Sequence, residues 1–575
     1  MQKYIPLLEW LPKYKKSNLL KDSIAGFTVG IILVPQAMAY AMIAGLPPVY
    51  GLYTALVPVL MYVFLGTSKQ ISVGPVAMDS LLVAAGLGAL AITGIENYIA
   101  MAIFLAFLVG AIQLLLGLFK MGFLVNFLSK PVISGFTSAA AIIIIFSQLK
   151  HLLGAPIQDS NHFHQLVINI FQNIKATNVY DLTIGIIAIL AIILLKKWNR
   201  KIPSILLVVV LGILLVYFLK LEDYGVKIAG LIPTGLPSFS VPEFNLEKAL
   251  DLWPMAITIA LVGYLEAISI GKALEEKVEE ETIEANQELL ALGVSNMVGS
   301  FFQSYTSTAS FSRSAINGAS GAKTNLSALF GVLLVVGTLL FLTPIFYFLP
   351  NAALASIIMV SVFGLIDLDY AKQLWDKCKD EFAILLITFL ITLFVGIPQG
   401  ILIGVLSSLL LMVYRTSKPH FAILGNIKGT DYYKNVNRFA DEIINRDDLL
   451  IVRFDAQLYF GNCGFFKNQL YKEIDKKGIA LKVIILNAEA INYIDSSGAQ
   501  ILTKVIREAH QKNIQFYIAG AIGPTRDVIF NSSIIEELRK EFLFVRIKEA
   551  VAFYDDPTTI VALRDKIAFQ NQFKR

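Results

Sequence analysis

Three charged side chains stand inside stretches that are otherwise apolar or small. Arg313 lies in SFSRSAINGASGAKT (310–324), Glu266 in ITIALVGYLEAISIGKAL (257–274) and Asp79 in VAMDSLL (76–82). A charge at the centre of a bilayer costs about 2.5–3.5 kcal/mol on insertion scales, so each is read first as a functional group. Arg313 adds a full positive charge to the hydroxyl donors of Ser310, Ser312 and Ser314, which is the chemistry of holding an anion. A carboxyl group in a low-dielectric setting can exchange a proton near neutral pH, and on that ground Glu266 is the candidate coupling residue. Asp79 could do the same work, or hold sodium with nearby backbone carbonyls. Each has a plainer alternative: Arg313 could snorkel or pair with Glu266 as a scaffold, and Asp79 could cap or pair locally.

None of this is the chemistry of an enzyme. The end of the arginine stretch, NGASGAKT, imitates a phosphate-binding loop, but Asn317 and Ala322 stand where G-x-x-x-x-G-K-[ST] needs glycine. No G-x-S-x-G elbow or His/Cys cluster suggests hydrolysis. The histidines, His151, His162, His164, His420 and His510, fall outside the apolar runs, which excludes an intramembrane histidine metal site or proton wire. Cys378 and Cys463 both fall in stretches read as cytoplasmic, so no disulfide framework is implied. The expectation is a non-enzyme with no cofactor, no metal and no nucleic-acid partner.

The elements that position these residues must be membrane helices. The chain has 575 residues, 56% hydrophobic and 16% charged, against about 25% charged in soluble domains, and its mean hydropathy is +0.66. Runs such as LTIGIIAILAIILL and ILLITFLITLFVGIP approach or reach the roughly 20 apolar residues that span a bilayer. Segments centred near residues 31, 58, 83, 108, 140, 187, 211, 262, 295, 316, 333, 358, 388 and 405 make about fourteen crossings. The N-terminus, MQKYIPLLEWLPKYKKSNLLKDS, is basic and broken by Pro6 and Pro12, so it reads as an interfacial lead-in and not as a cleavable signal. An even count puts both termini on one side. Lys13, Lys15, Lys16, Lys21, Lys69, Lys120, Lys130, Lys196, Lys197, Arg200, Lys201, Lys372, Lys377 and Lys379 all fall on that side, which makes it cytoplasmic in a cell inner (plasma) membrane.

Two sets of seven spans are inverted with respect to each other, because seven is odd. The third span of the first half opens with GTSKQISVGPVAMDS (66–80) and that of the second with SYTSTASFSRSAINGAS (304–320). Both are short, and polar at the start. Two half-helices meeting near the midplane would aim the positive ends of their dipoles at one spot and attract an anion there.

A soluble tail begins near Arg415. LLIVRFDAQLYF (449–460), LKVIILNAEAINYI (481–494) and IQFYIAG (514–520) read as strands and AQILTKVIREAHQK (499–512) as a helix, which makes a small α/β domain. In YIDSSGAQIL, Asp495 or Ser496 reads as a helix cap; the sharper alternative is a phosphorylatable Ser497.

Together these stretches resemble the SulP family of anion permeases. The resemblance is carried by DSIAGFTVGIILVPQAMAYAMIAGLPPVYGLY (22–53), GTSKQISVGPVAM, GYLEAISIGKAL, NQELLALGVSNMVGSFFQSYTSTASFSRSAINGASGAKT (286–324) and the DSSG segment. It implies an α-helical membrane protein of fourteen spans in a seven-plus-seven inverted repeat, joined to a small cytoplasmic α/β STAS domain. On this chain the division is 1–19 N-terminal segment, 20–415 transport domain (repeats about 20–220 and 250–415), 416–437 linker, 438–560 STAS domain and 561–575 tail. The resemblance places Gln36, Tyr40, Val76, Phe311, Ser312 and Arg313 around the substrate, with Glu266 beside them. It implies elevator-like movement of a core against a gate, and homodimers. SFSRS with a glutamate in GYLEA is most similar to the proton-coupled sulfate branch. Dicarboxylate carriers share much of the same pattern, whereas bicarbonate and sodium symporters of the family tend to lack the arginine; C4-dicarboxylate or bicarbonate symport driven by protons or sodium, anion exchange and channel-like conduction are the alternatives within the family. Asp79 stands where the family commonly has an apolar residue.

Overall fold

The computed structural model describes residues 5–88, 90, 92, 94–123, 129–158, 163–198, 203–243, 246–275, 283–439, 442–444 and 446–558. His162, Arg200, Lys201 and the tail 561–575, which enter the expectations above, lie outside the described residues. The chain forms two compact units, Met1–Ser408 and Leu409–Arg575.

In the first unit a single turn, α1 (Leu7–Trp10), precedes α2 (Lys16–Ile43), the first span. Span two is broken into α3 (Pro48–Thr54) and α4 (Val57–Leu65). Span three is a two-residue strand, β1 (Val73–Gly74), leading into α5 (Ala77–Gly88). α6 (Ile95–Leu118) and α7 (Lys130–Leu152) follow, then a short helix that the span count did not anticipate, α8 (Phe163–Asn173). α9 (Val179–Trp198) and α10 (Ser204–Leu219) close the half. The second half repeats the pattern with α11 (Leu246–Glu275), α12 (Ala285–Ser300), and β2 (Thr308–Ala309) leading into α13 (Phe311–Ala319). α14 (Leu326–Gly337), α15 (Asn351–Phe363), the short α16 (Leu368–Lys377), α17 (Lys379–Phe394) and α18 (Ile397–Ser417) complete it. Every expected span centre falls in one of these helices.

The inversion is visible in the packing. α6 packs on α11 and α12, and its counterpart seven spans on, α14, packs on α2 and α4. α7 packs on α17 as α9 packs on α15. Glycines let the tightest crossings form: a methyl on Gly26 would stand 2.0 Å from Ser327 O, and one on Gly110 would stand 2.4 Å from Met297 N. Where lipid is as apolar as the side chains, such close backbone approach is a main source of helix attraction.

α5 and α13 have 12 and 9 residues, and unlike α4, which follows α3, and α14, whose helical path runs on to Phe348, neither is prolonged by a neighbouring helical segment to span length. At 1.5 Å per residue they cover roughly 18 and 14 Å of a bilayer core about 30 Å thick, so each crosses about half of it.

The second unit is a seven-stranded sheet of order β4-β3-β6-β7-β8-β9, with β5 paired to β3. Its strands are β3 (Phe421–Ile427), β4 (Tyr433–Asn435), β5 (Ile443–Ile444), β6 (Leu449–Phe454), β7 (Val483–Asn487), β8 (Gln515–Ala519) and β9 (Leu543–Phe544). β6 to β9 are parallel and β3 is antiparallel to β6, with Phe421 opposite Phe454. α19 (Cys463–Lys477), α20 (Ser496–Gln511), α21 (Gly523–Phe530) and α22 (Ile534–Leu538) bury Phe466, Leu502, Ile529 and Ile534 with Val452, Ile484 and Phe516. α23 (Ile547–Asp555) buries Ala550 with Ile451, Ile485 and Tyr517.

Two expectations need correction here. The stretch 416–437, read as linker, holds β3 and β4, because Ala422 and Leu424 alternate inward and complete the sheet. The strands read over 449–460 and 481–494 stop at Phe454 and Asn487. Asp455 leaves the ladder to accept from Arg453 Nε at 2.5 Å, and further along only an isolated bridge, Leu458 to Ile494, remains.

Candidate functional site

The two half-helices begin from one antiparallel pair of strands. Val73 lies opposite Ala309 and Gly74 opposite Thr308. Ser310 N donates to Ser72 O at 2.9 Å, and Ser72 N donates to Ser314 Oγ at 2.9 Å. Two short helices therefore start back to back, and their unsatisfied N-terminal amides face a common region.

Each approach strand is tied down by a side chain that the sequence reading did not single out. Glu288 of α12, fully buried, accepts from Tyr62 OH at 2.8 Å, from Thr67 N at 2.8 Å, from Thr67 Oγ1 at 2.5 Å and from Ser68 N at 3.4 Å. It pins the segment that enters β1. On the other side Asn296 Oδ1 accepts from Ser307 N at 2.7 Å while its Nδ2 donates to Ser307 O at 3.0 Å, and Tyr305 N donates to Thr54 Oγ1 at 3.1 Å. The signal was present, since Glu288 interrupts NQELLALGVSN as plainly as Glu266 interrupts its own span.

Arg313 is the third residue of α13 and is fully buried. Its Nε donates to Ser72 Oγ at 3.4 Å, and its Nη1 donates to Pro75 O at 3.1 Å and to Gln36 Oε1 at 3.5 Å. Nη2 is buried with no partner. Gly74 leaves room for it: the backbone there has φ +144°, and a methyl would stand 3.3 Å from Nη2. The scaffold alternative is not observed. All three acceptors are neutral, and among the described residues Glu266 makes no ion pair with Arg313, although each lies within electrostatic reach of the other. A buried arginine with a donor to spare, beside two helix N-termini, is suited to an oxyanion.

Gln36, Tyr40 and Val76 are buried around the arginine's side of the site, whereas Phe311 is 63% exposed and Ser312 is exposed. Tyr40 also faces Ser361 of α15, a residue missed from sequence. Exposure continues along α11 at Ser269 and Lys272 and along α13 at Ala315 and Ala319. Towards the opposite end, a cavity of about 940 Å³ is lined by Met42, Leu81, Gln148, Asp251, Met255 and Gln399 among others, and reaches neither Arg313 nor Glu266.

Asp79 is 1% exposed and does not pair locally as its plainer reading supposed: Oδ1 has no partner, and Oδ2 lies against α11 at Gly263. Tyr305, fully buried, joins the group by a 3.1 Å hydrogen bond with Ser80 Oγ. In the second unit Asp495 caps α20, with Oδ1 accepting from Gly498 N at 2.7 Å and Oδ2 from Phe460 N at 2.9 Å. Ser497 sits half-buried in the first turn beyond it.

This arrangement has known counterparts. Residues 19–388 match the profile of the Sulfate permease family and 441–552 that of the STAS domain. The chain belongs to the sulfate permease family. It is 39% identical to Sulfate transporter 4.1, chloroplastic, of Arabidopsis thaliana over 95% of this chain and 82% of that protein. It is 32% identical to High affinity sulfate transporter 2 of Stylosanthes hamata over 97% and 87%. The murine solute carrier 26 family member A9 anion transporter, solved in the inward-facing state, superposes with a TM-score of 0.89 at 28% identity, over 96% of this chain and 94% of that one. As a sulfate permease family member the protein is a multi-pass membrane anion transporter and not an enzyme, and it carries the inverted-repeat helical fold with a C-terminal STAS domain.

Proposed function

We propose that the protein is a secondary active transporter that carries sulfate together with protons. The observation that carries this reading is the buried guanidinium of Arg313, with Nη2 unpartnered, where β1 and β2 bring two helix N-termini together. A dianion there gains two dipole ends and one full charge. The relatives named as sulfate transporters support sulfate as that dianion. Glu266, half-buried with Oε2 unpartnered, is the proton carrier in this reading, because an acid beside an arginine and a dianion changes protonation as the dianion comes and goes. Gln36, Tyr40 and Val76 form one wall of the pocket, and Phe311 and Ser312 stand at its mouth.

An exposed track at one end and a separate cavity at the other support alternating access, with α2, α5, α11 and α13 moving as a core in an elevator-like step. The lysine distribution supports cytoplasmic termini in a cell inner (plasma) membrane, and the family resemblance supports a homodimer.

The test is labelled sulfate uptake into proteoliposomes under an inward proton gradient, an inward sodium gradient, or neither, with fumarate and bicarbonate as competitors. Concentrative uptake driven by protons alone is expected. Glu266→Gln should lose concentration by the proton gradient and keep sulfate exchange; a variant that still concentrates sulfate excludes Glu266 as the carrier. Flux of a competitor without sulfate uptake would move the substrate assignment.

A further inference from the structure

Asp79 has no task in the binding of the anion, yet it is among the most deeply buried charges in the transport unit. It is the third residue of α5, as Arg313 is of α13, so equivalent places on the two half-helices carry opposite charges. Its Oδ1 is buried without a hydrogen-bond partner. Its Oδ2 rests on α11 where Gly263 leaves space, and a methyl there would stand 3.2 Å from that oxygen. Gly263 is one helical turn ahead of Glu266, so the two carboxyl groups address the same face of α11. Glu266 is within electrostatic reach of both Asp79 and Arg313, and its Oε2 is also buried without a partner.

The titratable and charged groups around this pair come from four helices and the approach to β2: Tyr40 on α2, Tyr305 ahead of β2, Arg313 on α13, and the two acids themselves on α5 and α11. Arg313 is the cation in that set, and it lies within electrostatic reach of Glu266, which in turn faces Asp79 before any substrate arrives. Two carboxylates in one dry site repel, and they take up protons as a pair instead of both remaining ionised. With both ionised, one arginine and a bound sulfate would leave a net charge of about three negative; two protons reduce it to about one. Proton binding and dianion binding therefore favour each other, and the coupling is reciprocal. The N-terminal end of α5 modestly favours ionised Asp79, which makes its proton releasable once the dianion has left.

We propose that Asp79 and Glu266 form a two-proton site, with Asp79 taking a second proton for each sulfate carried. The inference rests on the sulfate–proton reading and deepens it. A sodium ion at Asp79 is the less suitable occupant, because a hard cation needs several oxygen ligands. A proton needs one oxygen.

The experiment records sulfate uptake and proton influx together in sodium-free proteoliposomes containing a trapped pH dye. The expected ratio is about two protons per sulfate in the natural protein and about one in Asp79→Asn, the ratio being read per sulfate taken up at whatever rate the variant transports. The same ratio in both proteins would overturn the proposal and leave sulfate–proton symport standing. A requirement for sodium that Asp79→Asn abolishes would also overturn it, in favour of a cation ligand. Sulfate uptake without proton influx in the natural protein would overturn the underlying reading, and that outcome is visible before any variant is made. Should Asp79→Asn not fold, calorimetry of sulfate binding to the purified natural protein, in buffers of different ionisation heat, counts the protons taken up. About two supports the pair, and one or fewer overturns it.

Discussion

α5 and α13 are alike in backbone and opposite in charge. Each starts from a two-residue strand of the same antiparallel pair, and each is too short to cross a bilayer. Yet the third residue of one is Asp79 and of the other Arg313, and the anchors differ too: a buried carboxylate, Glu288, holds the approach to α5, and a neutral amide, Asn296, holds the approach to α13. The inverted repeat supplies position, two dipole ends at one place, while the departures from symmetry supply chemistry. A site built from two identical halves would not set a buried cation on one half-helix and a buried acid on the other.

The largest effect is expected at the charge that breaks the symmetry. Arg313→Ala should weaken sulfate binding by about 3 kcal/mol or more, over roughly 100-fold in Kd, because it removes a buried charged donor. Equilibrium binding to purified protein measures this, and unchanged affinity would refute the pocket. Next come the anchors. Glu288→Ala should cost about 3–5 kcal/mol, since it leaves several buried donors without their charged acceptor, whereas Asn296→Ala should cost about 1–3 kcal/mol. Hydrogen exchange would show opening at residues 67–72 in the first variant and 305–309 in the second. Equal effects would mean that the two approaches are held alike.

The smallest effect is expected where charge is paired near water. Arg446 meets Asp448 at 3.0 and 2.6 Å and Asp555 at 2.6 Å, and these hydrogen bonds hold the Asp448 carboxyl below the usual carboxylate range. A depressed folded value means that the stabilisation is fully present above the ordinary carboxylate pKa of about 4 and is lost as pH falls through the folded value. Arg446→Ala should therefore cost about 1 kcal/mol or less at neutral pH, and its difference from the natural protein should shrink in acid. Exchange protection of β6 in the full chain, followed against pH, measures it.

Much of the fold was legible because a bilayer imposes long apolar runs, and every expected span centre lies in a helix. The half-helices were legible for the opposite reason, as polar openings where an apolar run should be. α8 does not stand out in the sequence because it buries Leu166 and Ile170 alone among its described residues and never reaches span length. β3 reads as linker in the sequence because its partner β6 lies more than twenty residues away, and a single strand does not declare its pairing.

The sequence by itself determined that charges sit at membrane depth, that the chain is an inverted pair of seven spans, and that an arginine stands near the head of one half-helix. Only the tertiary structure decided that Arg313 is held by the neutral acceptors Gln36, Ser72 and Pro75 and not by Glu266. It also decided that Asp79 faces the same side of α11 as Glu266, and that Glu288 and Asn296 hold the strands on which both depend. The reason is physical: periodicity along a chain reports which face is buried, whereas the partner that a buried polar group finds is set by crossings between helices hundreds of residues apart.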